Sequence, residues 1–265
     1  MQETEALHTM PGSFVVIGDA RTGTSMLRHL LDAHPDVHCL GEYLSNDVAT
    51  LLSQPLPRPL ARFAQTFART AWFKRVRLNR LLRRPAAARS FGFKALYEQL
   101  PPTLLPAIDR KIERHILILR RDRVRRALSL LNAEASGRWN RTLDKAEPDA
   151  TADAPRHVAY DDLTGAIERT ERLDELWVHR LGSLAQRGFI LYYEDLVTAR
   201  TDSLINVFRF LGVDEAPAQN LTPKTARMST PRPLSYMIAN IDSLYQAAEG
   251  SRFFDLLQEF ELPQA

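Results

Sequence analysis

The chain has 265 residues, of which 45% are hydrophobic and 25% charged, with a formal net charge of +3 at pH 7, so a well-buried globular core is expected. Its single cysteine, Cys39, excludes an internal disulfide and is typical of a reducing compartment. Residues 1–12 do not read as a secretory signal, and the longest apolar runs are too short to span a bilayer. We therefore expect a soluble, cytoplasmic protein.

Strand and helix patterns alternate along the chain. Residues 14–17 predict a strand, and apolar residues at helical spacing then continue up to His34 and Pro35, which end the helix. Further strands are predicted at residues 91–95, 115–119 and 189–192, and further helices at residues 123–135 and 204–211, the last closed by Gly212. The pattern predicts an α/β fold, a doubly wound, mostly parallel sheet flanked by helices, in a single domain over residues 1–265. Helical insertions are predicted at residues 58–85 and 140–162, the second a loop or lid.

The segment between the first strand and the first helix has the composition of an anion site. It reads Gly-Asp-Ala-Arg-Thr-Gly-Thr-Ser at residues 18–25. Glycines let backbone N–H groups face an anion, the helix N-terminus adds partial positive charge, and the arginine and hydroxyls add donors. The glycines match the P-loop pattern, but Thr24 replaces its lysine, which argues against a kinase or hydrolase. The sequence therefore predicts a P-loop-like fold. The alternatives for this segment are the phosphate loop of a kinase or hydrolase and a glycine turn that binds no ligand.

The motifs, taken in order, resemble those of sulfotransferases. Residues 19–27 are similar to the 5′-phosphosulfate loop P-[KR]-[ST]-G-[ST]-[ST], with Ala20 in place of proline. Residues 91–100 and 133–139 are similar to segments of the bacterial carbohydrate enzymes of the trehalose type, and residues 192–196 and 210–212 resemble a widespread Y-E-D-L…F-L-G signature. Residues 232–254 resemble the end of the nodulation-factor enzyme. The resemblance covers residues 14–260 except the two insertions.

This resemblance implies an enzyme that moves a sulfuryl group from PAPS (3′-phosphoadenosine-5′-phosphosulfate) to a hydroxyl of a carbohydrate or glycolipid and leaves PAP. It implies that Arg121 and Ser129 bind the 3′-phosphate, a guanidinium and a hydroxyl being suited to that group. The rest of the run, Arg123, Arg125 and Arg126, is expected to be a solvated helix face. Trp139 is a candidate to stack on adenine. The residues implied to hold the 5′-phosphosulfate are Arg21, Thr22, Gly23, Thr24 and Ser25.

The reaction needs a base for the acceptor hydroxyl and cations for the charge that develops. By the resemblance Glu42, which follows the first helix and its exit loop, is the candidate base. His38 is a rival, although its apolar neighbours predict a packed side chain. Lys94, at the end of a predicted strand, and Arg21 are candidates to stabilise the transferring group. The histidines are scattered, and no metal is expected.

Residues 58–89 contain ten basic residues and no acidic one, and aromatic residues are interleaved with them. This pattern fits an amphipathic segment on an anionic membrane, at the inner membrane surface, where a glycolipid acceptor would be presented. The alternatives are a solvated basic helix, a surface that steers the anionic donor, and, in place of an enzyme, a protein that binds nucleic acid or an anionic membrane. For a sulfotransferase no nucleic-acid partner is expected, and the oligomeric state stays open.

Overall fold

A parallel sheet of five strands organises the computed structural model, which describes residues 10–45, 66, 68–82, 88–137, 155–222 and 233–262. The strand order is β2-β3-β1-β4-β5, and each neighbouring pair is parallel. The strands are β1 Met10–Gly18, β2 Val37–Glu42, β3 Ser90–Leu96, β4 Ile112–Leu119 and β5 Gly188–Tyr192.

Helices connect these strands and continue beyond the last one. In the described part of the chain they are α1 Thr24–Asp32, α2 Ala71–Leu82, α3 Leu105–Lys111, α4 Arg123–Ser136, α5 Tyr160–Gly182, α6 Tyr193–Thr198, α7 Arg200–Leu211, α8 Ile241–Ala248 and α9 Arg252–Glu259.

Helices cover both faces of the sheet, which explains why residues 14–17 of β1 and 116–119 of β4 are apolar without interruption. In β1 alternate side chains point to opposite faces. Val15 and Ile17 pack in one cluster with residues of α2, α3 and α5, whereas Phe14 and Val16 pack in another with residues of α1, α6 and α7. A third cluster joins α4 and α5 to α8 and α9, so the C-terminal helices pack beside the sheet-covering layer.

The strand order reverses between β1 and β4. From β1 the chain crosses to β2 on one side of the sheet, and from β3 it crosses past β1 to β4 on the other. In open α/β sheets ligands bind at such a reversal, outside the carboxyl ends of the strands. The segment at residues 18–23 and the arginines after β4 both lie at this edge.

The predicted α/β fold with a parallel sheet flanked by helices is confirmed. The four predicted strands are present, and the helix that ends at Gly212 closes with that glycine in the left-handed conformation, φ 66°. The edge strand β2, which ends at Glu42 and pairs with β3, was not predicted from the sequence. Polar residues and Gly41 hide this strand in the sequence. The single domain stays a prediction.

Both predicted insertions lie only partly in the described residues. Of residues 58–85, the structure describes 66 and 68–82, where α2 forms. Of residues 140–162, it describes 155–162, which contain a bridge from Arg156 to Ile238 and the first turn of α5. That 23-residue helix was not predicted from the sequence.

Candidate functional site

The segment between β1 and α1 forms a tight loop. Thr22 Oγ1 donates a hydrogen bond to the Asp19 carbonyl at 2.8 Å, and the backbone is left-handed at Arg21 (φ 66°) and at Gly23 (φ 91°). Left-handed residues in such a loop turn neighbouring N–H groups toward one concave side, which suits an anion. A Cβ atom at Gly23 would lie 2.5 Å from Cδ2 of Tyr193, so glycine lets this aromatic ring pack against the loop.

Arg21 and Ser129 lie together at this loop. Arg21 Nε donates a hydrogen bond to Ser129 Oγ of α4 at 2.8 Å. Burial lowers the pKa of the Arg21 guanidinium, and nearby Arg120 lowers it further. Two guanidinium groups at the end of the sheet make this position attractive for an anion. The structure therefore brings together two residues that were predicted to bind different phosphates of one nucleotide.

Arg121 is turned toward a carboxylate. Its two terminal nitrogens contact the two oxygens of Asp195 at 2.5 and 2.9 Å, and its guanidinium lies 3.9 Å from the ring centroid of Tyr192. The side chain is 42% exposed. Ser129 accepts from Arg21, so Arg121 and Ser129 are held by different partners, and their shared role in binding the 3′-phosphate stays a prediction.

Arg120, which the sequence reasoning missed, lies beside the loop with its side chain 16% exposed. Its Nη1 lies 3.4 Å from the Arg21 carbonyl, and its guanidinium is 5.0 Å from the ring centroid of Tyr193. Burial lowers its pKa, and its buried Nε finds no hydrogen-bond partner in the described part of the chain. The signal available in the sequence was its place directly after an apolar strand, where side chains face the ligand crevice.

Lys94 connects the loop to the candidate base. This buried lysine lies near the end of β3, with Nζ 2.8 Å from Ser25 Oγ and 2.8 Å from Glu42 Oε1. Lys94 and Glu42 are register partners in neighbouring strands, so the strand pairing itself sets the contact. The second oxygen of Glu42 accepts a hydrogen bond from Gln99 Nε2 at 2.6 Å.

His38 lies away from this cluster. It is on β2, four residues before Glu42, which corresponds to roughly 13 Å along a strand. Its side chain is 52% exposed and its Nδ1 lies 3.1 Å from Asp32 Oδ1, so the predicted packed histidine is wrong. His38 therefore lies apart from the contact between Lys94 and Glu42. Trp139 lies outside the described residues.

A buried ion network holds the loop against the helices. Arg126 is 1% exposed and contacts Asp174 of α5 at 2.5 Å and Asp19 of the loop at 2.8 Å. Burial alone would lower the pKa of Arg126, but the two carboxylates outweigh it and the pKa is raised. Tyr97 Oη donates to the other oxygen of Asp174 at 3.1 Å.

The prediction of a solvated face for the arginines of α4 is wrong for two of the three. Besides Arg126, Arg125 is buried. Its guanidinium contacts Asp122 and donates to the carbonyls of Phe260 and Glu261. Arg123 alone is about half exposed, paired with Glu171. The helix is basic because it packs against carboxylates and carbonyl oxygens.

Helix α2 of the basic segment reaches the Glu42 side of the site. Buried Lys74 donates to the Gln99 carbonyl at 2.6 Å, and burial lowers the pKa of Lys74 to about 8. Arg77 lies 4.4 Å from the ring centroid of Tyr43, the residue after Glu42. One face of the helix therefore borders the site.

Two features are absent from the part of the chain that the structure describes. The described residues contain no group of three or more His, Cys, Asp or Glu side chains placed to hold a metal ion. Within the same residues, no helix combines the length and the hydropathy needed to cross a membrane.

The chain matches two sulfotransferase family models. Residues 61–237 match Stf0 sulphotransferase, and residues 12–107 match the model described as Sulfotransferase family. The first match covers more than half of the chain, so the chain belongs to the Stf0 sulphotransferase family. The prediction of a PAPS-dependent sulfotransferase is confirmed, and the alternatives of a kinase, a hydrolase or a protein that only binds an anionic partner are set aside.

Two solved sulfotransferases with TM-scores of at least 0.50 have a similar fold. The enzyme from Alicyclobacillus acidocaldarius is 16% identical, with 92% of this chain and 91% of that one covered and a TM-score of 0.51. The sulfotransferase domain of the Synechococcus PCC 7002 olefin synthase is 18% identical, with 100% and 94% covered and a TM-score of 0.50. Mouse sulfotransferase SULT7A1 complexed with PAP is 15% identical, with 97% and 94% covered and a TM-score of 0.40. No curated protein matches this chain.

Replacing Arg126 by methionine tests the buried network. The substitution leaves Asp19 and Asp174 without their shared buried cation, and removing one partner of a buried pair costs about 3–5 kcal/mol of unfolding free energy. Urea unfolding measures this loss of unfolding free energy. Arg123→Met on the same helix is the control and is expected to cost about 1 kcal/mol or less. Equal losses in the two variants would contradict a special role of the network.

Proposed function

We propose that this sulfotransferase transfers the sulfuryl group of PAPS to a hydroxyl of a carbohydrate or glycolipid by in-line displacement, with Glu42 as the base. The observation that carries the proposal is the position of Lys94, whose Nζ lies 2.8 Å from both Ser25 of the loop and Glu42. One cation thus links the loop proposed to hold the transferring group to the carboxylate proposed to take the proton. The acceptor class rests on the resemblance of the sequence motifs.

The chemistry follows from this arrangement. Glu42 accepts the proton of the acceptor hydroxyl while the oxygen of that hydroxyl attacks sulfur. The bond from sulfur to the bridging phosphate oxygen breaks. PAP leaves with the electron pair, so negative charge develops on that bridging oxygen. The loop N–H groups, Arg21 and Lys94 stabilise this charge, as preorganised donors do in phosphoryl transfer. Thr22, Gly23, Thr24 and Ser25 contribute the rest of the loop that holds the 5′-phosphosulfate.

The nucleotide end of the donor lies beyond the loop in this proposal. Arg121 and Ser129 bind the 3′-phosphate, for which Arg121 exchanges the Asp195 carboxylate for a phosphate. A carboxylate and a phosphate can each accept two hydrogen bonds from one guanidinium, so Arg121 keeps the same bidentate geometry after the exchange. Trp139 is the proposed adenine contact.

Calorimetry of PAP binding tests the 3′-phosphate site. Loss of a charge-assisted hydrogen bond worth about 1.5–3 kcal/mol should weaken PAP binding by Arg121→Ala roughly ten- to over a hundredfold. Arg123→Ala, two residues further along the chain and paired with Glu171, is the matched control and should bind PAP normally. Wild-type affinity in Arg121→Ala together with a large loss in Arg120→Ala would assign the phosphate to Arg120 instead.

Substitution of the base tests the mechanism. Glu42→Gln keeps the shape of the side chain but cannot take the proton, so turnover should fall by about 10²–10⁴ while PAP affinity stays close to wild type. The assay measures transfer of labelled sulfate from PAPS to a panel of sugars, glycolipids, phenols and peptides. Full turnover in Glu42→Gln would refute this base, and transfer only to phenols or peptides would refute the acceptor class.

We also propose that the enzyme works in the cytoplasm at the inner membrane surface, with α2 facing the lipid. The outer face of α2 exposes Trp72 by 64% and Val76 by 43%, and Arg75 and Arg80 are exposed on the same helix. Apolar and aromatic groups beside arginines suit the interface of an anionic membrane. The opposite face borders Glu42, so a lipid-borne sugar would approach the site from the membrane.

Vesicle co-sedimentation tests the membrane contact. Each arginine near an anionic surface contributes about 1 kcal/mol, so Arg75→Gln with Arg80→Gln should weaken binding to phosphatidylserine vesicles roughly thirtyfold. High salt should abolish binding, and neutral vesicles should not bind. The exposed arginines of α5 supply the control, Arg169→Gln with Arg172→Gln, which should bind like wild type. Absence of binding at low salt would leave a soluble acceptor as the better choice.

A further inference from the structure

Both oxygens of the Glu42 carboxylate are held by neighbouring side chains. Lys94 Nζ lies 2.8 Å from Oε1, and Gln99 Nε2 donates to Oε2 at 2.6 Å. An ionised carboxylate has about four acceptor positions, so two remain for an acceptor hydroxyl. Glu42 is partly exposed, which leaves its free positions open to a ligand.

The backbone fixes the orientation of the Gln99 amide. Its Oε1 accepts a hydrogen bond from the backbone N–H of Leu96 at 3.1 Å. A backbone N–H can only donate, so the amide oxygen must face it and the NH₂ group must face Glu42. Gln99 is buried, so its amide group is shielded from water.

A second buried contact holds the main chain of Gln99. Gln99 ends the short 3-10 helix Tyr97–Gln99, and its carbonyl accepts a hydrogen bond from Lys74 Nζ at 2.6 Å. Lys74 is buried, whereas Arg75 and Arg80 of the same helix are exposed. The lysine thus belongs to the inner face of α2 and contacts the turn that carries the amide.

We propose that Gln99 is a positioning residue that orients the Glu42 carboxylate, and that Lys74 holds Gln99 for this role. The proposal rests on the proposed function of Glu42 as the base. Lys94 alone would leave the carboxylate free to rotate about a single contact, whereas two contacts on different oxygens define its plane. A neutral amide does this without adding a second positive charge, which would make the carboxylate a weaker base.

Positioning predicts a split between turnover and donor binding. Gln99→Met removes the donor at similar side-chain length, so we expect kcat to fall ten- to a hundredfold. The PAP dissociation constant should stay within about twofold, because Ser25 and Lys94 still contact each other. Lys74→Met should lower kcat by a smaller factor with the same unchanged PAP affinity. Exposed Gln186→Met is the control and should leave both quantities unchanged.

Gln99→Glu supplies a readout that a merely structural defect would not move. A carboxylate beside Glu42 raises the pKa of Glu42, because two like charges at this distance disfavour ionisation. Glu42 must be ionised to act, so the acid limb of the kcat profile should move up by about one pH unit or more, and the rate should recover at high pH. The charged groups that face this position from the packed elements are Lys94 of β3, Lys74 and Arg77 of α2, and Glu98 of the turn.

The experiment measures kcat against pH and PAP affinity for these variants. A shifted acid limb in Gln99→Glu and a loss confined to kcat in Gln99→Met support positioning. An unmoved limb, or a parallel loss of PAP affinity and kcat, overturns it. Where Gln99→Glu does not fold, the split in Gln99→Met decides. Glu42→Gln separates the two hypotheses, since full turnover in that variant refutes the base, whereas impaired turnover with normal Gln99 variants refutes only the positioning.

Discussion

The ion pairs of the buried Arg126 guanidinium with Asp19 and Asp174 are the interaction on which the rest of the site depends. The guanidinium joins Asp19 of the loop to Asp174 of α5, and through Asp174 it reaches Tyr97 after β3. An isolated buried charge would be costly, so the loop, the long helix and the turn must all be in place for it to be satisfied. The network therefore couples the shape of the loop between β1 and α1 to the packing of the helices.

From that support, the parallel sheet places the side chains that are proposed to take part in the reaction. The carboxyl ends of β1, β3 and β4 lie at one edge of the sheet. They carry the loop between β1 and α1, Lys94, and the arginines Arg120 and Arg121. Residues that are about seventy positions apart, such as Ser25 and Lys94, come within hydrogen-bonding distance because β1, which leads to the start of α1, pairs with β3. The chemistry is assembled by strand order, and the positions of Glu42 and Lys94 follow from the β2–β3 register.

Helix α2 has two chemically different faces. Lys74 and Arg77 turn inward, to the Gln99 carbonyl and the Tyr43 ring, whereas Arg75 and Arg80 turn outward beside Trp72. A uniform basic run in the sequence thus serves two purposes in the fold. Desolvation distinguishes them, since the inward lysine has its pKa lowered to about 8.

The class of fold, the tight loop between β1 and α1 and most strands could be predicted from the sequence, because hydrophobic periodicity and glycine turns are local signals. The motifs also pointed to Arg21, Lys94 and Glu42, which the structure brings to one edge of the sheet. Tertiary structure decided which arginines are buried, as Arg125 and Arg126 lie in a run that looks solvated. It also decided that β2 is a strand and that Gln99 contacts Glu42, since a strand edge and a hydrogen bond both need a partner from elsewhere in the chain. Local patterns cannot contain those partners, because packing of the whole fold brings them together.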